Sequence, residues 1–301
     1  MNSQVSPLPP RCSQPQPQQP QPQQPQPQQP QPQQPQPQRN KQQVAQQFSR
    51  AAHSYDQAAT IQQQAIEQLI QRMPNQLGGH WLDIGCGTGA AFDPLLKRGV
   101  EHLSGVDLAE GMLQFINLQQ ASHWHRQPIT TVLADADELP FNNNSCDGIF
   151  SSLMLQWSEH PQRTLSEWQR VVKPGGLIAI ATLLPGTHQQ MRDAWQQIDQ
   201  RPHVNRFTPR QQLLTVCQQL QLDIVSEQQQ CLTEHYPSLT DLLRGLKAIG
   251  ATNVNTGRKS GLGGRAALQQ LNQMYPRTQT GQLPLSYQVY WLLLRKPALA
   301  F

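Results

Sequence analysis

The chain predicts an α/β fold built on a mostly parallel sheet, and three observations carry that expectation. Trp81-Leu82-Asp83-Ile84 has the pattern of a short buried strand with an acid near its end. Gly85-Cys86-Gly87-Thr88-Gly89 follows at once, with glycines at alternate positions. From there, short apolar runs alternate with helical patterns, and two later runs also end in acids, Asp107 and Asp135. A glycine-rich turn between a parallel strand and a helix lets backbone N–H groups approach a ligand that side chains would otherwise block. The sequence therefore places a nucleotide-type cofactor site at the mouth of an α/β sheet.

Residues 1–40 contain a nearly uninterrupted Gln-Pro-Gln-Gln-Pro repeat. Proline removes donors and glutamine offers no apolar surface, so this extension is expected to be disordered or polyproline-like. It reads as a spacer or a tolerated repeat expansion, and its P-x-x-P spacing leaves an SH3-type groove as the alternative. Residues 41–301 suffice for one large α/β domain with cap elements near 41–60, 188–220 and 236–284. The five cysteines contain no C-x-x-C pair, which fits reduced thiols in a cytoplasmic protein without structural zinc or disulfides. No run has the length of a membrane span, and the N-terminus lacks the apolar core of a signal peptide. Charge is uneven. Residues 241–301 hold eight Lys or Arg against Asp241 alone, which suggests an acidic macromolecular partner or a solvated basic face.

In chain order, Val44, Phe48, Ala52 and Tyr55 fall at helical spacing, and Ile61, Ala65, Leu69 and Met73 continue it. Ser54-Tyr55-Asp56 is expected to break the pattern into two helices. The first strand ends at Ile84, and a helix runs through Leu95 and Leu96. The second strand is Leu103–Asp107, with Glu110 opening the next helix, and the third is Thr130–Ala134. Cys146–Ser152 reads as the fourth strand. Gln156 and Trp157 lie just past its C-terminal end, where an open α/β sheet carries its reacting groups. A helix through Leu165 and Trp168 leads to the turn Lys173-Pro174-Gly175-Gly176 and a fifth strand, Leu177–Leu183. Two helices between 188 and 220 flank a polar linker carrying Arg201 and Arg206. A sixth strand is expected at Leu222–Gln230. A helix over Leu239–Ile249 then presents Arg244 and Lys247 together. A glycine-rich loop and a helix near Leu268–Met274 precede the alternating run Leu285–Leu294, expected as an antiparallel last strand.

Gly85, Gly87 and Ala90 also fit a dinucleotide fingerprint, with Asp107 about 20 residues on. Asp83 inside the motif, the third alternate glycine Gly89 and the later acid Asp135 pull away from that reading. Together these residues resemble a class I S-adenosylmethionine-dependent methyltransferase, with a Rossmann-like, mostly parallel seven-stranded sheet. That resemblance implies that Asp83 and the turn Gly85, Gly87 and Gly89 meet the methionine part. Asp107 would hold the ribose, Leu108 and Met112 would flank the adenine, and Asp135 with the Ala136 N–H would read its edge.

Residues 41–301 further resemble the malonyl-acyl-carrier-protein O-methyltransferases of biotin synthesis. The resemblance rests on Phe48–Asp56, Leu155-Gln156-Trp157, Arg201–Phe207, Leu242–Thr252 and Gly281–Tyr287. It implies methylation of the free carboxylate of a malonyl thioester on an acyl carrier protein, with neither membrane nor nucleic acid as partner. Tyr55 and Gln156 are then expected to wall the methyl group and Arg206 to grip the carboxylate. Arg244, Lys247, Arg258 and Lys259 would form a landing surface for the acidic carrier. A methyltransferase of free small acids would share the cofactor residues. An RNA methyltransferase would use the basic quarter instead, a nonenzymatic scaffold would use only the repeat, and an NAD oxidoreductase is disfavoured by Asp83 and Asp135.

Overall fold

The computed structural model describes residues 40–120, 123–124, 129–250 and 264–298. The Gln-Pro repeat, most of the glycine-rich loop, and Arg258 and Lys259 lie outside the described residues. The chain opens with α1 (Lys41–Ala58) and α2 (Thr60–Arg72), followed by β1 (His80–Ile84), α3 (Phe92–Lys97), β2 (His102–Asp107), α4 (Glu110–Gln120) and β3 (Ile129–Leu133). After β4 (Cys146–Ser152) comes a short 3₁₀ turn, Leu155–Trp157, then α5 (Pro161–Val171), β5 (Val172–Leu183), α6 (Gln189–Gln196) and α7 (Arg210–Gln219). The chain continues with β6 (Asp223–Tyr236), α8 (Leu239–Ala248), α9 (Gly264–Met274) and β7 (Leu283–Arg295).

The seven strands form one sheet in the order β3-β2-β1-β4-β5-β7-β6. The first five are parallel to one another, and β7 lies antiparallel between β5 and β6. Neighbouring residues of the inner strands enter opposite cores, so these strands read as apolar runs rather than alternating ones. Trp81, Phe150 and Trp291 join α2, α3 and α4 on one face. Leu82, Ile149 and Tyr290 join α5 and α7 on the other. The strand order reverses between β1 and β4, which opens a crevice at the carboxyl ends of the strands.

Three expectations about element limits change. The helix break falls at Ala59 (φ −92°, ψ 37°) and not at Ser54–Asp56. Ser54 fits within α1 because its hydroxyl donates to the carbonyls of Ala51 and Ala248, each at 3.1 Å. Lys173–Gly176 is not a turn before the fifth strand but part of β5, which shifts register between Cys146 and Gly148 of β4. Backbone bonds between Gly175 or Gly176 and Lys296 hold it there. β6 runs six residues beyond its expected end at Gln230, to Tyr236. It is a largely exposed edge strand, so its pattern carries little apolar signal.

α1 crosses the carboxyl edge of the sheet and packs on α4, with Ala52 buried against Ala109 and Met112. Gly111 sets the closeness of that approach. A Cβ there would lie 2.7 Å from the Ser49 carbonyl oxygen and 2.8 Å from its Cα. The Gly111 N–H instead donates to the Ser49 hydroxyl at 3.1 Å. Alanine favours an isolated helix over glycine by about 1 kcal/mol, whereas overpacking costs about 1–3 kcal/mol. Gly111→Ala is therefore expected to lower the melting temperature; a rise would show that α1 does not press on α4.

Candidate active site

The crevice is a cleft bounded by the carboxyl ends of β1, β2 and β4, the loop after β3, and the inner face of α1. Its floor is the turn after β1. Gly85, Gly87 and Gly89 all have positive φ (74°, 53° and 86°), a region that costs residues with a Cβ. The turn is tied to β2, because the Gly87 N–H donates to Asp107 Oδ2 at 2.9 Å. The Ala109 N–H donates to Asp107 Oδ1 at 2.8 Å. Each carboxylate oxygen offers about two acceptor positions, so these two bonds leave Asp107 with acceptor capacity toward the cleft.

The electrostatics of the three strand-end acids differ. Asp83 is buried beneath the turn (2% exposed) and does not line the cleft. Burial first, then the Asp107 charge, push its carboxyl up to about 8. Burial also raises Asp107, against the lowering effect of its backbone donors. Asp135 accepts both the Asp137 N–H (3.0 Å) and the Lys41 ammonium (2.9 and 2.6 Å). Lys41 also reaches Asp137 at 2.7 Å. These bonds hold the Lys41 ammonium above the usual lysine range, although its partial burial acts the other way.

α1 supplies the opposite wall through Val44, Ala45, Phe48 and Tyr55. Phe48 meets Trp157 edge to face at 5.4 Å, and the Thr88 hydroxyl donates to Asp56 at 2.6 Å, closing α1 onto the glycine turn. The Tyr55 phenol is kept protonated by burial and by the charges of Asp107 and Asp56.

The cleft thus gathers Tyr55, Gly85, Gly87, Asp107, Leu108 and Met112, together with Asp135 and Ala136. It does not gather Gln156, Arg206, Gly89, Arg244 or Lys247. Gln156 is buried (7% exposed); its amide donates to the Leu153 carbonyl and accepts from the Thr182 hydroxyl at 3.2 Å. In a 3₁₀ turn positions three apart share a face, so Met154 and Trp157 line the cleft and Gln156 points into the protein. Arg206 is exposed on the α6–α7 linker. Arg244 and Lys247 are exposed on α8, and Arg244 pairs with Asp241 at 3.0 Å.

Sequence reasoning missed Lys41, Asp137, Leu153 and Met154. Leu153 holds φ 54°, a left-handed conformation rare for a bulky residue and typical of functional turns. No sequence pattern announces that. Among the described residues, no group of three or more His, Cys, Asp or Glu is placed to hold a metal, and no helix is long and apolar enough to cross a membrane.

The fold and cleft define a Rossmann-like S-adenosylmethionine-dependent methyltransferase. The acceptor set is compatible with that cofactor, which carries hydroxyl and amino groups: Asp107 and the acids of the loop after β3 present carboxylates to the cleft. A methyltransferase-domain family model matches residues 82–180. The YcgJ protein of Bacillus subtilis shares the fold at TM-score 0.59 and 15% identity, with 78% of this chain and 98% of that one covered. Closer in sequence is the malonyl-acyl-carrier-protein O-methyltransferase of Serratia marcescens, 40% identical over 258 residues, which are 85% of this chain and 97% of that protein. The chain belongs to the malonyl-acyl-carrier-protein O-methyltransferase family. It is also 42% identical over 260 residues to the biotin biosynthesis bifunctional protein BioHC of Cellvibrio japonicus. That match covers 86% of this chain and only 51% of the bifunctional protein.

Asp83 generates a testable pH dependence. Its folded-state value of about 8 exceeds an unfolded value near 3.8, so the ligand-free folded protein keeps a proton that the unfolded chain has lost. Stability then falls as pH rises through that window and levels off above it. Against Asp83→Asn in denaturant titrations, the wild type is expected to lose about 1 kcal/mol per pH unit between about pH 5 and 8. A constant difference over that range would mean that Asp83 is ionised in the folded protein.

Proposed function

We propose that this protein transfers the methyl group of S-adenosylmethionine to the free carboxylate of a malonyl thioester carried on acyl carrier protein, for biotin synthesis. The reading is carried by one observation: a cleft with diol-accepting and base-reading acids, in a chain that spans nearly the whole length of a relative so named. The cofactor supplies an electrophilic methyl group on a sulfonium. Asp107 holds the ribose, Leu108 and Met112 flank the adenine, and Asp135 with the Ala136 N–H reads the adenine edge. The glycine turn faces the methionine part, and an ammonium bound there would favour the ionised form of Asp83, which lies buried beneath the turn.

A malonyl carboxylate ionises at about pH 4 or below and is already nucleophilic at neutral pH, so no general base is needed. The chain's work is alignment and exclusion of water. Tyr55, Phe48 and Trp157 provide a largely apolar wall, and the protonated Tyr55 hydroxyl is a donor rather than a base. Among the cleft-lining residues the single cation, Lys41, is committed to two acids. The substrate carboxylate therefore needs a cation from outside the lining, and Arg206 on the linker is the proposed anchor, since guanidinium grips carboxylates bidentately. Arg244 and Lys247, with Arg258 and Lys259 beyond the described residues, form the proposed landing surface for the acidic carrier.

Incubation with S-adenosylmethionine and malonyl-loaded carrier protein should add one methyl group to the carrier's intact mass, and acetyl-loaded carrier should gain none. No gain despite cofactor binding would redirect the search to free small acids. Arg206→Lys should lower methyl transfer by about tenfold or more while leaving cofactor affinity unchanged, because lysine cannot form the two-pronged contact. Equal loss in both measurements, or none, would remove Arg206 as the anchor.

A further inference from the structure

The only cation lining the cleft among the described residues is the first residue of α1, ninety-four positions from the acid it binds. Lys41 follows the helix cap Asn40, whose side chain accepts the backbone N–H groups of Gln42 and Gln43. An ammonium has three donors. All three are accounted for, by the two oxygens of Asp135 and by Asp137 Oδ2.

The two acids are not equivalent. The side chain of Asp137 is 6% exposed and that of Asp135 is 35% exposed. Asp137 also accepts from the Thr164 hydroxyl, which lies 2.6 Å from the Ser158 hydroxyl on the β4 side of the cleft. A buried carboxylate left without its cation is heavily penalised, whereas a half-exposed one can turn to water. Asp137 is thus the fixed end of this contact, and Asp135 is the acid that Lys41 steadies.

The acceptor arithmetic decides the direction of the effect. Asp135 Oδ1 already takes the Asp137 N–H and the Lys41 ammonium, while Oδ2 takes Lys41 alone. At about two lone-pair sites per oxygen, one acceptor position remains on Oδ2 for an amino group. Lys41 and an adenine can therefore share Asp135 without either displacing the other.

We propose that Lys41 is a positioning residue for cofactor binding: anchored on buried Asp137, it orients the remaining acceptor of Asp135 and latches the first turn of α1 across that end of the cleft. The proposal rests on the reading that Asp135 meets the cofactor's adenine. The same latch fixes Val44, Ala45 and Phe48, which follow Lys41 within two turns and form the cleft wall. Closing the lid and presenting the acid are then one event.

The test uses the full-length protein with Lys41→Met, Lys41→Arg and Asp137→Asn. It reads calorimetric affinity for S-adenosylhomocysteine, hydrogen exchange of the α1 amides without ligand, and thermal melting to verify folding. Lys41→Met should weaken binding by about tenfold, within the usual range for coupled sites. It should also speed exchange over residues 45–48 while leaving α4 unchanged. Lys41→Arg should restore most of both, and Asp137→Asn should resemble Lys41→Met. Unchanged affinity with unchanged exchange would overturn the proposal, and tighter binding by Lys41→Met would overturn it by making Lys41 a competitor for Asp135. If the wild type itself fails to bind S-adenosylhomocysteine, the cofactor reading fails, a result distinct from loss of the latch because exchange is measured without ligand.

Discussion

The arrangement of the molecule depends on adjacent parallel strands ending level with one another. β1 and β2 pair from His80 with His102 to Ile84 with Val106, and β2 and β3 pair through to Asp107 with Leu133. This register delivers Asp83, Asp107 and Asp135 to one edge of the sheet. Asp83 and Asp107 lose hydration there and the charge of Asp107 acts on Asp83, and the fold satisfies each of the three acids differently. Asp83 tends to keep its proton, Asp107 takes two backbone donors, and Asp135 takes an ammonium. The same edge is thereby left with unused acceptor positions facing the cleft, which is what a ligand rich in hydroxyl and amino groups requires.

The capping helix turns this edge into an enclosed site. α1 has little apolar character of its own and contributes Ala51 and Ala52 as its fully buried residues. Its placement comes from specific contacts: Gly111 beneath Ser49, Ser54 to α8, Asp56 to the glycine turn, and Lys41 to the β3 loop. A helix with only two residues buried in its own right, tied down largely by polar contacts, is suited to opening, because such contacts exchange with water more readily than a packed core does.

Much of this was legible in the sequence. The strands of the inner sheet announce themselves because burial on both faces demands unbroken apolar runs, and the three acids stand at their ends because the chain must leave the core there. The glycine turn was readable because positive φ leaves few alternatives. Gln156 was misplaced because the three-residue period of the turn at Leu155–Trp157 cannot be told from sequence, and a shift of one position reverses inside and outside. Arg206 was assigned by its chemistry alone, which says nothing about how a linker without regular structure lies. Lys41 and Asp137 were invisible for a different reason: their pairing is set by where α1 crosses the sheet, a tertiary fact with no local signature. Leu153 belongs to the same class, since an apolar residue in a left-handed conformation is imposed by its surroundings.

The position of β7 has a consequence for how the protein is made. β6 pairs along its whole length with β7 and reaches the rest of the sheet only through it. While the 46 residues between Tyr236 and Leu283 are being synthesised, β6 has no partner strand in the sheet. At about 5–20 residues per second that interval lasts a few seconds. During it the flank of β5 that will receive β7 is also open. The charges of Asp223, Glu227 and Glu234 along β6 and its register shift between Ile224 and Ser226 make it a poor template for a neighbouring nascent chain. Charges and a bulge that add nothing to the core thus bear on the chain before it is folded.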